Sequence, residues 1–125
     1  MRPSRITYQT VLENLADAIP ALEPIYRQEV ASWAPDDVAP IVFVELHLVP
    51  YLVQQLKEGN QLEAKRCLSF LEELAASSDT HLQELVGVAV GEPLLSDRAN
   101  LDLTLQAAGP KLRKLIVTMR DWPRA

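Results

Sequence analysis

The sequence predicts an all-α protein, and three observations support that prediction. Apolar residues recur at the i, i+3, i+4, i+7 spacing of an amphipathic helix along most of the chain. Prolines, glycines and polar runs interrupt this pattern and leave connections of about two to six residues, as between antiparallel helices. One segment could form a strand, but no second strand could pair with it. We therefore predict a single domain, residues 1–125, of six or seven antiparallel helices, arranged as a bundle or a short HEAT-like array.

The first two helices are expected over residues 7–18 and about 21–33. The first keeps its apolar spacing up to a proline, which ends it. The second carries Pro24 in its first turn, where the missing N–H costs nothing. The run APDDVAP then breaks the chain, and we expect Asp36 or Asp37 to cap the next helix.

Residues 38–58 are ambiguous, because IVFVELHLV is rich in β-branched residues and alternates like a strand. Its continuation PYLVQQLKEG is typical of a helix that closes with Gly59 at the C′ position. Since a lone strand would leave its backbone unpaired, we predict one long helix. It should kink where Pro50 removes the hydrogen bond to the carbonyl of Leu46.

A helical hairpin follows. The run NQLEAKRCLSFLEELAAS places an apolar stripe on its first helix, with Asn60 as N-cap, and THLQELVGVAVGEPL gives the second. Three residues compete to cap the second helix, and the pattern does not choose among them: Ser77, Ser78 and Asp79.

The second helix of the hairpin is expected to end at Gly91-Glu92-Pro93. Helical arithmetic places Glu92 on the apolar face of this helix. Gly87 and Gly91 lie four residues apart and lower the helix propensity, which indicates that a neighbouring helix approaches closely there.

The last two helices are expected over about 97–108 and from Pro110 to about 120, with Gly109 between them. The final fifteen residues hold five basic residues and one acidic residue. Cations near a helix C-terminus interact favourably with its macrodipole. The remainder of the chain is consequently more acidic than the net charge suggests, and an acidic surface suits a basic partner.

Composition excludes several classes of function. The net charge of −5 argues against nucleic-acid binding, because phosphate contacts require a basic surface. A single cysteine allows no internal disulfide. The N-terminus lacks the apolar run of a secretory signal, and the longest apolar stretch, with Glu45, His47 and Pro50, is too polar to span a bilayer. We expect a cytosolic protein without a membrane partner.

No catalytic or metal-binding constellation is evident. A di-metal bundle needs Glu-x-x-His on two helices, whereas His47 follows Glu45 by two positions and His81 precedes Glu84. Cys67 lies on an apolar stripe, where a cysteine is more often a buried hydrophobe than a reactive thiolate. Phosphate loops and dinucleotide fingerprints are missing. We therefore predict that the protein is not an enzyme and binds no metal or cofactor.

Four acidic positions are the candidates for a partner-binding site: Glu45, Glu72, Glu73 and Glu92. For the adjacent Glu72 and Glu73, a solvent-facing position is the simplest expectation. Glu45 and Glu92 have apolar neighbours, and a buried carboxylate must be paired or hydrogen-bonded.

Glu92 has two alternative roles. It could accept hydrogen bonds from the first turn of the next helix or pair with Arg98 or Arg113, which would make it a structural residue. It could instead face a partner.

Residues 44–115 carry a series of motifs that occur together in one family. They are the pair Glu45-Leu46, the turn Gly59-Asn60, the segment Phe70-Leu71-Glu72-Glu73-Leu74, the turn Ser78-Asp79, the centre Val86-Gly87, the late Glu92, and Gly109-Pro110 before a basic helix. The chain thereby resembles a family of small all-α bacterial proteins of unknown function, some of which look like immunity proteins of toxin systems. It departs from that family at Pro93, where a helix-compatible residue is expected.

The resulting hypothesis is a non-catalytic bacterial binding protein, which the resemblance implies is an immunity protein. Its acidic helical surface would neutralise a basic toxin domain and gain association rate from electrostatic steering. The alternative is a helical scaffold without a toxin partner, a homodimer in which Trp33, Tyr51 and Trp122 form a self-association patch.

Overall fold

Seven helices make up the regular structure of residues 6–121, the part of the chain that the computed structural model describes. Five of them are α-helical throughout: α1 Val11–Ala18, α2 Glu23–Trp33, α4 Gln61–Ala75, α6 Arg98–Ala107 and α7 Pro110–Asp121. A 3₁₀ turn, Pro20–Leu22, leads directly into α2. The prediction of an all-α protein is confirmed.

Helices α3 and α5 each contain a π-helical turn. The segments of α3 are Pro40–Phe43, the π turn Val44–Leu48, and Val49–Lys57; those of α5 are Thr80–Val86, the π turn Gly87–Gly91, and Glu92–Leu95. In each helix a proline is the second residue after the π turn. The wider turn accommodates a residue that has no N–H and whose ring would otherwise press on the carbonyl four residues earlier.

The π turns explain two outcomes of the sequence analysis. The single long helix expected over residues 38–58 is confirmed, and Pro50 is accommodated by a π turn in which the Val49 N–H donates to the Val44 carbonyl. The expected end of the second hairpin helix at Gly91-Glu92-Pro93 was wrong. Because α5 widens before Pro93, the helix continues to Leu95.

Side-chain caps differ from helix to helix. Asp79 caps α5 by accepting a hydrogen bond from the His81 N–H at 2.9 Å, which decides among the three candidates. Asp36 and Asp37 do not cap α3; both are exposed, and Ala39 occupies the N-cap position. Gly59 has a φ of +72°, the left-handed conformation expected after a helix.

Helix α4 lies at the centre, in contact with α1, α3, α5 and α7. Helix α6 contacts α3, and α7 returns to both α4 and the π turn of α5. These contacts join elements that are distant in the chain, whereas repeats of a solenoid contact only their neighbours. Of the two arrangements left open by the sequence, the contacts favour a bundle.

The close approach predicted at the two glycines of α5 is confirmed. A Cβ built on Gly91 would lie 2.6 Å from Sδ of Met119 in α7, and one built on Gly87 would lie 3.4 Å from the same atom. The glycines therefore let α7 pack directly against the π turn of α5.

Burial is uneven among the helices. The fully buried side chains come mainly from α1, α3, α4, α5 and α7, whereas α2 contributes none. None of the helices in residues 6–121 combines the length and hydropathy needed to cross a membrane.

Candidate functional site

The two π turns contact each other and place two of the candidate acids at the surface. Glu45 lies within the π turn of α3, and Glu92 directly follows that of α5; both side chains are exposed. Within residues 6–121 neither carboxylate has a hydrogen bond or an ion pair. The burial suggested by the apolar neighbours of Glu45 and Glu92 was therefore wrong, and within residues 6–121 Glu92 pairs with neither Arg98 nor Arg113, the partners considered for its structural role.

Glu92 is exposed because the π turn that precedes it contains an extra residue. One added residue rotates the following positions by about 100° relative to α-helical arithmetic. Leu94, which is 1% exposed, consequently takes the buried position that arithmetic assigned near Glu92. In α3, Val44 is buried while Glu45 and its neighbour Leu46 face outward.

Each π turn also carries an exposed apolar side chain. Leu46 is 59% exposed and Val88 is 39% exposed, and each belongs to one of the π turns. Glu84, Val88 and Glu92 follow at four-residue spacing along α5, and all three are exposed. We call the following set the π-turn surface: Glu45, Leu46, Glu84, Val88 and Glu92.

The chain segments that carry the π-turn surface are acidic. Helix α5 contains no lysine or arginine, and Lys57 is the last residue of α3. Residues 6–56 contain seven acidic residues and one basic residue, Arg27, which pairs with Glu23 at 2.9 Å. The lysines and arginines of the described residues therefore lie mainly on α4 and α7, away in sequence from the π turns.

A polar link joins α2 to the π turn of α3. Glu29 Oε1 lies 3.5 Å from Nε2 of His47, and Trp33 Nε1 donates a hydrogen bond to Glu29 Oε2 at 2.9 Å. The His47 ring also packs against Phe43, with 4.8 Å between ring centroids. Sequence analysis missed this link, although the spacing of Glu29 and Trp33 was a signal for an i, i+4 contact.

An aromatic pair continues this link into the interior. Tyr26 packs edge-to-face on Phe43, with the ring centroids 5.9 Å apart. Burial raises the pKa of the Tyr26 hydroxyl, and the negative charge of Glu13 raises it further. Helix α2 is thus attached to the bundle through half-buried rings and polar contacts.

Glu72 has a structural role. Its carboxylate accepts hydrogen bonds from the backbone N–H groups of Lys111 at 2.8 Å and Leu112 at 2.9 Å. These N–H groups belong to the first turn of α7 and have no partner within that helix. The expectation of a solvent-facing Glu72 was wrong: the half-buried side chain caps α7 from α4.

Gly109 leaves the space that this cap requires. A Cβ built on Gly109 would lie 2.7 Å from Glu72 Oε1. Nearby, the guanidinium of Arg113 donates to the Leu105 carbonyl at the end of α6. Glu72 and Arg113 therefore fix the turn between α6 and α7 from both sides.

Glu73, unlike the adjacent Glu72, is not placed to cap α7. It is exposed, and it lies beside a shallow depression lined by Leu62, Arg66 and Phe70. Arg66 pairs with Glu63, at 3.1 Å. The structure therefore brings Glu45 and Glu92 to adjoining turns, while Glu72 is engaged in a helix cap.

The aromatic residues proposed for self-association are partly engaged inside the protein. Trp33 is half-buried with its N–H on Glu29, and the Tyr51 hydroxyl donates to Glu63 Oε1 at 2.8 Å. Burial and this hydrogen bond raise the pKa of Tyr51 to about 12. Trp122 lies outside the described residues.

Cys67 is fully buried, as the sequence predicted. Burial raises the pKa of its thiol to about 12, so the thiolate is strongly disfavoured in the folded protein. Across residues 6–121, no three side chains of histidine, cysteine, aspartate or glutamate are grouped so that they could hold a metal ion. His81 packs edge-to-face on Tyr8.

A groove of about 700 Å³ lies on another part of the bundle. The end of α3, the first half of α4 and the junction of α6 with α7 form its walls. Sequence analysis did not find this groove, because its three walls come from separate parts of the chain.

Comparison with known proteins gives one match. No curated protein and no solved structure matches the chain. The model of a family described as a domain of unknown function, DUF7674, matches residues 12–122. Since this match extends from α1 past the end of α7, the chain belongs to the DUF7674 family.

Proposed function

We propose that this chain is a non-catalytic bacterial binding protein that acts in the cytosol as an immunity protein. Its π-turn surface would cover a basic region of a cognate toxin and thereby neutralise it. One observation carries the proposal: two contacting π turns carry exposed apolar side chains, Leu46 and Val88, together with exposed carboxylates, Glu45 and Glu92, that have no partner within residues 6–121.

The chemistry of this surface suits a basic protein partner. Exposed carboxylates on two acidic chain segments attract a basic surface and accelerate association at low ionic strength. The exposed Leu46 and Val88 side chains would lose water-accessible apolar area on binding, at about 25 cal/mol per Å². A mixture of apolar centre and charged surroundings is the usual anatomy of a protein interface.

The π turns also favour this surface as the binding site. Such turns are frequent at functional sites, since they interrupt the regular hydrogen-bond ladder. Here they turn Glu45 and Glu92 outward, where each side chain is available to a partner. The assignment to toxin neutralisation comes from the resemblance of residues 44–115 to proteins of toxin systems.

Co-expression tests this proposal. The chain is produced together with the protein encoded by the adjacent reading frame, and both co-purification and relief of growth inhibition are measured. The proposal expects a stable complex and restored growth. Failure of the two proteins to co-purify, with growth still inhibited, would contradict it.

Charge reversal locates the surface within the same assay. The double variant Glu45→Lys/Glu92→Lys should lose the complex while it keeps the wild-type melting temperature. Glu72→Gln is the matched control, because Glu72 caps α7. It should lower the melting temperature and leave the complex intact.

A further inference from the structure

Four side-chain carboxamides line the groove between α3, α4 and the α6–α7 junction: Gln55, Asn60, Gln61 and Gln106. None of them is hydrogen-bonded through its side chain within residues 6–121. Asn60 occupies the N-cap position of α4, yet its side chain makes no capping bond. By contrast, Gln54 and Gln83, which lie outside the groove, donate to Glu58 and to the Ser77 carbonyl.

Gln55 is the decisive member of this group. It is 7% exposed as a whole residue and lies at the groove, where its carboxamide atoms keep contact with water. The other buried polar residue, Thr104, donates its hydroxyl hydrogen to the Asn100 carbonyl at 2.8 Å. Because no protein group among residues 6–121 pairs with the Gln55 carboxamide, water in the groove is its partner, and a ligand in the groove would take the place of that water.

The remaining walls define the chemistry of the occupant. Leu56, Ala64, Leu68 and Leu103 provide an apolar floor. Lys65 also lines the groove; its side chain is exposed and has no ion pair within residues 6–121. The carboxylate of Glu72 also reaches the groove, but the N–H groups of α7 already hold it. The one unpaired charge lining the described groove is therefore positive.

We propose that this groove binds an extended peptide segment that carries apolar side chains and one carboxylate. Each carboxamide offers a donor and an acceptor, which matches the N–H and C=O of a peptide group. The main chain of the segment would pair with Gln55 and the neighbouring carboxamides, its apolar side chains would cover the floor, and its carboxylate would face Lys65. This groove is distinct from the π-turn surface, and the inference does not depend on the proposed function.

The test uses blocked pentapeptides of leucine and alanine with a single aspartate placed at each position in turn. Binding to the full chain is followed by NMR, through the side-chain amide resonances of Gln55 and the backbone resonances around the groove. We expect saturable shifts there, with a dissociation constant near or below about 1 mM for at least one peptide. The same peptide with N-methylated backbone nitrogens, or with lysine in place of aspartate, should bind at least tenfold more weakly.

The variant Gln55→Met separates a binding role from a structural one. Methionine keeps the shape of the side chain and removes the unpaired carboxamide, so the melting temperature should stay the same or rise by a few degrees. Peptide affinity should fall at least tenfold. Gln54→Met, which alters the adjacent residue outside the groove, should leave peptide affinity unchanged.

Three results would overturn the inference. The first is the absence of shifts at the groove for every peptide. The second is binding of a small amide such as hexanamide at the groove without binding of any pentapeptide. The third is a Gln55→Met variant that is less stable than wild type and binds peptide with unchanged affinity.

Discussion

The cap that Glu72 places on α7 is the contact whose contribution to stability can be measured most cleanly. It joins residues that are 39 and 40 positions apart in the chain, so it forms only when α4 and α7 have docked. Replacing Glu72 by alanine removes the acceptor of two backbone hydrogen bonds and leaves the N–H groups of Lys111 and Leu112 without a protein partner. We expect this substitution to destabilise the protein.

The magnitude follows from the chemistry of the cap. Loss of a helix cap destabilises by about 0.5–2 kcal/mol, and hydrogen bonds to a charged group contribute about 1.5–3 kcal/mol each. Because Glu72 is half-buried and water can reach the freed N–H groups, we expect about 2 kcal/mol in total. For a chain of 125 residues this corresponds to a fall in melting temperature of roughly 8 °C.

Gly109 provides a second perturbation of the same cap. An added Cβ would lie 2.7 Å from Oε1 and 2.8 Å from Cδ of Glu72, so Gly109→Ala must displace the carboxylate. We expect Gly109→Ala to destabilise the wild type by about 1–2 kcal/mol, since displacement lengthens both capping bonds. In the Glu72→Ala background the added methyl group meets no carboxylate, and the same change should be neutral within about 0.5 kcal/mol.

Urea denaturation of the four proteins in this double-mutant cycle is the assay, followed by circular dichroism. The difference between the two effects of Gly109→Ala isolates the cap, because changes in backbone entropy are common to both backgrounds. Glu84→Ala, at an exposed acid that has no partner within residues 6–121, is the control and should alter the free energy of unfolding by less than about 0.5 kcal/mol. Equal effects of Gly109→Ala in both backgrounds would refute the reasoning.

Four further predictions concern glycines and side chains that pack inside the bundle. Gly87→Ala should be neutral or stabilising by up to about 1 kcal/mol, as judged by urea denaturation, because helix propensity rises and its Cβ meets only an ordinary contact. Gly91→Ala should be less favourable than Gly87→Ala, because its Cβ would lie 2.6 Å from Sδ of Met119 and the end of that side chain must shift; a stability equal to that of Gly87→Ala would contradict the packing described. The Cys67 thiol has a pKa raised from 9.0 to about 12, so its contribution to stability is complete below about pH 9 and is lost as the pH rises towards 12. Denaturation at pH 8 and pH 10 should therefore show a larger loss of stability for wild type than for Cys67→Ala, and equal losses would count against a buried thiol. Tyr51→Phe should lower the free energy of unfolding by about 1 kcal/mol through loss of one hydrogen bond, and an unchanged denaturation midpoint would argue against that bond.

Much of the fold was predictable from local pattern. The all-α class, the helix borders near Gly59 and Pro110, and the close packing at Gly87 and Gly91 follow from periodicity and from the conformational preferences of glycine and proline. The ends of α5 and the exposure of Glu92 were not predictable in that way, because a π turn alters the 3.6-residue period on which helical arithmetic depends.

The parts of the site that sequence analysis missed depend on distant contacts. The cap by Glu72 and the groove at Gln55 each require α4 to meet elements from other parts of the chain. A pair of acids such as Glu72-Glu73 on an amphipathic helix gives no local sign that one will cap another helix. Glu45 and Glu92 were found as candidates, but their exposed positions on adjoining turns became evident only in the folded structure.

The salt dependence of association tests the central claim, that the π-turn surface recruits a basic protein partner. The association rate constant with the product of the adjacent reading frame would be measured by stopped-flow fluorescence between about 20 and 500 mM NaCl, for wild type and for Glu45→Lys/Glu92→Lys. We predict a rate constant that falls steeply with salt for wild type, and at least a tenfold lower, nearly salt-independent value for the variant at low salt. Identical rate constants and identical salt dependence for the two proteins would contradict the account.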